Sequence, residues 1–317
     1  MQMDLGESAM ARRRGVVCVA LVLVALVFYS TPAPSQELTP RTYWPTPKGT
    51  KVGVLGYGYA EGDVLFDPSI PLYGVDSQAN VVVAAYLQTI SLWGRTSTVL
   101  LEAPYQWGST QGFIGETPNP DRGTISGFGD PGVTLTVNLL GAPTMTPEDF
   151  QALREKPHPI LGASLKVLIP VGQYDPNRLL NPGGNRWAVK AELGAAIPLR
   201  PKLILEIEGG VWFLGDDDDY ITGPREQDPI VGVELHLVRR FRPGFWISLD
   251  GNFFFGGRQT IDGTELTDFQ SNSRLGGTLV VPFKGRHAIK LGFATGVFTA
   301  YGSDFDQYLV SYQVLFK

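Results

Sequence analysis

Cysteine is almost absent from this chain. The single one, Cys18, lies near the start, so the remainder has no disulfide framework, no thiolate nucleophile and no cysteine-bound zinc. Histidine is nearly as scarce. His158, His236 and His287 stand far apart, none with a second histidine at metal-ligand spacing and none beside a Gly-x-Ser-x-Gly elbow. No catalytic residue, metal site or cofactor is therefore expected. Excess positive charge is lacking too: the formal net charge is −5, which argues against a nucleic-acid partner. Beyond Tyr29 no apolar run approaches the length of about 18 residues that a spanning helix needs. A membrane span in this chain would have to be a closed barrel, because in lipid only helices and closed barrels satisfy every backbone polar group.

What is present begins with a processing signal. Arg12, Arg13 and Arg14 precede an apolar stretch, Gly15 to Tyr29, and Ala33 and Ser35 form a small-x-small pair before Gln36. Residues 1–35 are expected to be a removed signal peptide, 36–50 a periplasmic segment, and 51–317 the folded body.

That body reads as period-two segments separated by Gly, Pro, Asn and Asp. Leu203, Leu205, Ile207, Val211 and Phe213 alternate with Glu206, Glu208 and Trp212. Val231 to Leu237 alternate with Glu234 and His236, and Ile247 to Phe255 with Ser248, Asp250 and Asn252. Segments at 99–107, 133–139, 161–169, 187–197, 275–283, 289–297 and 308–316 repeat the design, and 52–59 and 80–90 are strand-like with an unclear phase. About twelve strands result, an even number, as expected of a bacterial outer-membrane barrel.

Connection lengths separate a barrel from a soluble sandwich. Short links at 93–96, 198–202, 239–244 and 284–286 alternate with long ones at 62–77, 108–129, 172–185, 215–228 and 256–273. Periplasmic turns and extracellular loops give that alternation; a sandwich has no reason for it. The exception is 141–159. There Thr146 followed by Pro147 marks a helix start, so a short periplasmic helix is expected. The fold class is thus all-β: a transmembrane, antiparallel, up-and-down barrel with one short helix.

The charged positions between apolar ones are expected to line the lumen: Glu102, Lys166, Lys190, Glu192, Glu206, Glu208, Glu234, His236, Asp250 and Lys290. Both signs occur. They suit a field along a pore, and equally an ion-pair network that plugs the barrel. Two other features carry less. Gly127 to Gly132 matches a dinucleotide fingerprint in form only, since a strand rather than a helix follows, and it reads as a glycine-rich loop tip. The run Asp216–Asp219 reads as a solvated charge cluster.

With the strands placed, a series of phrases resembles one family. It runs from Val137-Asn-Leu-Leu-Gly-Ala-Pro143 and Thr146-Pro-Glu-Asp-Phe150 through Ile169-Pro-Val-Gly-Gln-Tyr-Asp-Pro176 and Asn185-Arg-Trp187. Gly210-Val-Trp-Phe213, Arg225-Glu-Gln-Asp-Pro229, Arg242-Pro-Gly244, Asn272-Ser-Arg-Leu-Gly276 and Gly302-Ser-Asp-Phe-Asp306 complete it in order. The resemblance is to the transporter-like outer-membrane proteins described as "putative MetA-pathway of phenol degradation". It implies an outer-membrane barrel for passive uptake of small aromatic or hydrophobic solutes, and no functional residues to carry over. The implied partners are outer-membrane lipid, a small-molecule solute and the barrel-assembly machinery. The alternatives are a structural or adhesive barrel with a sealed lumen and, less well supported, a lipid hydrolase.

Overall fold

The computed structural model describes residues 38–62, 72–114, 121–178, 180–298 and 305–316. The expected leader at 1–35 lies outside the described residues. The wall of the molecule is built from β1 (Lys51–Gly62), β2 (Leu72–Leu92), β3 (Arg95–Ile114), β4 (Asp121–Phe128), β5 (Gly132–Leu140), β6 (Ile160–Leu168), β7 (Ala188–Arg200) and β8 (Leu203–Leu214). It continues with β10 (Ile230–Arg242), β11 (Phe245–Gly256), β14 (Gln270–Phe283), β15 (His287–Phe298) and β16 (Phe305–Phe316). The short strands β9 (Arg225–Gln227), β12 (Gln259–Ile261) and β13 (Thr264–Glu265) form a separate small sheet between two long loops.

Every pairing in the wall is antiparallel, β1 pairs with β16, and the β2–β3 pairing closes the ring. Strands β4 and β5 pair with successive halves of β3, so they act as one bent strand and the barrel has twelve. Here the loop expectation needs correction. Most of 108–129 is strand, and Gly127 to Gly132 is a bend in the wall rather than a loop tip. Asp130 holds the bend by accepting bonds from the Gly172 and Gly184 amides, each at 2.8 Å. The chain can turn there because Pro131 has no N–H to give to a ladder.

Tight turns, of two residues after β2 and three after β14, form where the chain chemistry allows positive φ. Trp93 and Gly94 stand at φ 50° and 73°, and Lys284 and Gly285 at 47° and 72°, the double left-handed geometry that matches strand twist. The helix α1 (Pro147–Glu155) forms as expected, with a complete capping box between Thr146 and Asp149. The bonds that Asp149 accepts from the Thr146 amide and hydroxyl hold its carboxyl below the ordinary range.

The period-two pattern decides the faces. Leu55, Leu101, Leu165, Leu193, Leu249, Leu275 and Leu291 all point outward and are exposed. Aromatic rings gather at both ends of this apolar band. Phe241–Phe245 and Phe283–His287–Tyr312 lie near the short turns, and Tyr57–Trp107, Tyr59–Tyr308 and Tyr105–Phe128 near the long loops. An apolar belt between two aromatic girdles is the lipid-facing surface of an outer-membrane barrel. Leu249→Arg should therefore destabilise the protein by about 2–4 kcal/mol, since Leu249 lies near mid-strand on the lipid side. Urea titration in lipid vesicles would measure it, and a shift near zero would mean the faces are reversed.

The lumen as candidate functional site

All ten predicted lumen residues lie on the inward face. Their strands bring seven of them into two ion-pair groups. Lys166 meets Glu102 at 3.1 Å on the β3–β6 side. Lys190 bridges Glu192 at 2.5 Å and Glu234 at 3.2 Å, and His236 Nδ1 meets Asp250 Oδ1 at 2.9 Å. Glu206 stands apart from both groups, with its Oε2 accepting the Arg41 amide at 2.6 Å. Lys290 is half-buried on β15, opposite Val280 and Ser311.

Register explains why these groups are crowded. Glu208 stands directly across from Glu234, and Lys190 across from Lys166. Like charges facing one another across strands repel. Lys190 and Lys166 escape by turning to Glu192 and Glu102. Glu208 has no such relief: it is buried, pairs with no described cation, and neither carboxylate oxygen has a hydrogen-bond partner.

The residues that sequence patterns missed come from the segment ahead of β1. It lies inside the barrel. The Tyr43 ring fills the space over Gly162 and Gly194, where an added Cβ would stand 2.1 Å from ring carbons. Its hydroxyl donates to Glu192 Oε1 at 2.9 Å. Burial, and then the Glu192 charge, push the phenol well above its usual range. Arg41 sits over the Trp246 and Trp44 rings, and desolvation pulls its guanidinium down to about 10 although Glu206 opposes the shift. No repeat or motif in residues 36–50 foretells this placement. Only the glycines on the inner faces of β6 and β7 hinted at room for a visitor.

Below the charged layer an apolar floor closes toward the short turns. Ile160, Ala196, Ile204, Val238, Trp246 and Val280 point in from the wall, and Trp44, Met145 and Leu153 of the N-terminal segment and helix region pack onto them. The helix is thus a seal, anchored where Arg240 donates to the Pro201 and Arg154 carbonyls at 2.6 and 3.2 Å. Above the charged layer Ala188, Trp212, Ile230 and Phe254 form a second apolar tier. Over it lies the small sheet, where Asp217 corrects the reading of Asp216–Asp219 as solvated. Asp217 is fully buried, bonded to Arg225, Tyr174 and Asn185, because Arg225 needs a counter-charge out of water. Asp216, Asp218 and Asp219 are exposed.

The opposite wall differs in kind. On β1, β2, β3 and β16 the inward positions Val54, Val81, Val83, Leu87, Leu100 and Leu309 are apolar and only half-buried, with Glu102, Gln106 and Ser311 set among them. Among the described residues the lumen therefore has a charged, filled side and a largely apolar, less filled side.

Residues 47–300 match the family described as "putative MetA-pathway of phenol degradation". The chain belongs to that family. Among solved structures it is similar to an outer membrane channel from Pseudomonas putida F1, at 22% identity and a TM-score of 0.71, covering 88% of this chain and 100% of that one. It also shares its barrel with the transport unit of the autotransporter AIDA-I from Escherichia coli, at 11% identity and a TM-score of 0.50, over 90% of this chain and 95% of the other. No curated protein matches the sequence. With its apolar belt, the family member is a bacterial outer-membrane barrel of channel-like fold.

Proposed function

We propose that this family member passes small apolar solutes, aromatic compounds among them, passively through its lumen. The observation that carries this reading is the two-sided lumen. A solute moving along Val81, Val83, Leu87, Leu100 and Leu309 exchanges water for apolar surface, worth about 25 cal/mol per Å². The reading is of a non-enzyme, in keeping with the outer membrane channel whose fold it shares. The strand β16, with Tyr308, Tyr312 and Phe316 outward, is the element we infer the barrel-assembly machinery to engage.

The test compares two fluxes. Cells expressing the protein in their outer membrane should take up dilute labelled toluene faster than vector controls, while the purified barrel in planar bilayers shows only small ion conductance. Large ion conductance without any gain in toluene uptake would overturn the reading in favour of a hydrophilic pore. Neither flux, from correctly folded protein, would favour a sealed structural barrel.

A further inference from the structure

The charged layer contains four ligand-type atoms, on three residues, that no hydrogen bond among the described residues satisfies. Glu208 Oε1 and Oε2, Glu234 Oε2 and His236 Nε2 are all buried and without hydrogen-bond partners. One donor atom from each of these residues falls within 4.8 Å of the others. His236 Nε2 and Glu234 Oε2 are 3.6 Å apart. Such a group is costly as it stands, because a buried carboxylate with no partner loses its hydration and gains nothing.

The surroundings of the three are finished where the three themselves are not. Asp250 Oδ1 takes the Nδ1 side of His236 at 2.9 Å, and Asp250 Oδ2 is fixed by the Thr278 hydroxyl at 2.8 Å. With Nδ1 held on the Asp250 side, the imidazole turns its Nε2 toward Glu208 and Glu234, where the neutral tautomer protonated at Nδ1 would offer a lone pair. Lys190 holds Glu234 by Oε1 at 3.2 Å and leaves Oε2 to the centre. A histidine backed by a carboxylate, and carboxylates anchored by their outer oxygen, are what surround bound metals. The remaining charged neighbours are Glu192 on Lys190, Glu206 on the Arg41 amide, and Glu102 on Lys166. None of them reaches in to neutralise Glu208.

We propose that Glu208, Glu234 and His236 form a binding site for one first-row divalent cation, with zinc the best fit. A donor set of one imidazole nitrogen and two carboxylates suits zinc and its neighbours and disfavours calcium and magnesium, which prefer oxygen alone. Zinc takes such ligands at about 2.0–2.2 Å, so donors around it stand roughly 3.3 Å apart. The cluster closes to that spacing by rotating the free Glu208 carboxylate inward. Three protein ligands leave a fourth position for water. The cation would relieve the Glu208–Glu234 opposition and tie β8 to β10 inside the lumen. This departs from the expectation of no metal, and it is independent of whether a solute passes the apolar wall.

The sequence itself carries a signal of this cluster. Glu206-Ile-Glu208 and Glu234-Leu-His236 each place two ligand-type residues on one face, and their strands are neighbours.

The test refolds the full chain from urea into detergent, with zinc or with chelator, removes free metal, and measures bound metal by plasma mass spectrometry. Cobalt as a second probe reports coordination through its visible spectrum. The proposal expects one equivalent of zinc per folded chain and tetrahedral cobalt bands. Glu208→Gln and His236→Gln should abolish both, and Asp250→Asn should weaken binding about 10–100-fold. His158→Gln and His287→Gln, outside the cluster, should change nothing. Wild type without stoichiometric metal would overturn the proposal and leave protons holding the carboxylates. So would equal binding by Glu208→Gln, a variant whose folding is checked by heat-modifiable gel mobility and which removes charge from a crowded layer. If His236→Gln does not fold, Glu208→Gln alone decides.

Discussion

Lys190→Met should be among the most damaging single changes in the lumen, lowering stability by about 3–5 kcal/mol. Lys190 is the cation shared by Glu192 and Glu234, with its ammonium 2.5 and 3.2 Å from them. Methionine keeps most of the volume and the straight stem, so packing is little changed. What is lost is the positive charge. Two buried carboxylates then face each other, with Glu208 already opposite Glu234. Glu208→Gln in metal-free protein should do the reverse and leave stability equal or higher, because it deletes a buried charge that has no partner. Urea unfolding of the two variants in chelator, read by tryptophan fluorescence, checks both signs. A neutral Lys190→Met would mean that water reaches this layer, since exposed pairs contribute at most about 1 kcal/mol.

Gly194→Ala should open the barrel. The new methyl would stand 2.1 Å from a carbon of the Tyr43 ring, inside any van der Waals contact. The ring has little room to yield sideways, because Gly162 on the next strand lies against its other edge, where an added Cβ would also stand 2.1 Å from a ring carbon. The β7 backbone is held on both sides by β6 and β8. The N-terminal segment is the part able to move. Overpacking of this kind costs about 1–3 kcal/mol, and each 1.4 kcal/mol is about tenfold in population. In single-channel recordings from planar bilayers the fraction of time spent open should rise on the order of tenfold if Tyr43 is the obstruction. Tyr43→Gly on the Gly194→Ala background should add little more, since the ring is already displaced. An unchanged trace from a folded Gly194→Ala barrel would show that the passage does not run past Tyr43.

The two predictions bear on different halves of one design. The β5–β14 side of the lumen is filled by charge, by the N-terminal segment and by an apolar floor. The β15–β3 side is lined largely by valine, leucine and glycine, with Glu102, Lys290 and Ser311 among them, and the described residues leave its apolar positions only half-buried. Passage of an apolar solute needs only the second side, provided the segment carrying Tyr43 and Trp44 can shift. The metal site would lie on the first side, where it stiffens the wall against which that segment rests.

The sequence by itself determined the wall. Twelve strands, their inward and outward faces, the tight turns at Trp93–Gly94 and Lys284–Gly285 and the capped helix at Pro147 are all local. Each depends on residues two to four apart, and alternation or cap chemistry prints them directly. The phase of β1 and β2 was not legible, because Gly, Ala and Val occupy both of their faces; register with β3 and β16 decides it. What only the tertiary structure decided is everything that needs residues from distant strands to share one point. Tyr43 is held by Gly162 and Gly194, Asp217 is drawn out of solvent by Arg225 and Tyr174, and Glu208 faces Glu234 and His236 across a pairing. The reason is physical: a strand's period states which face a side chain occupies, whereas height along the barrel depends on strand stagger. Stagger is set by the closure of the whole sheet, and no single segment contains it.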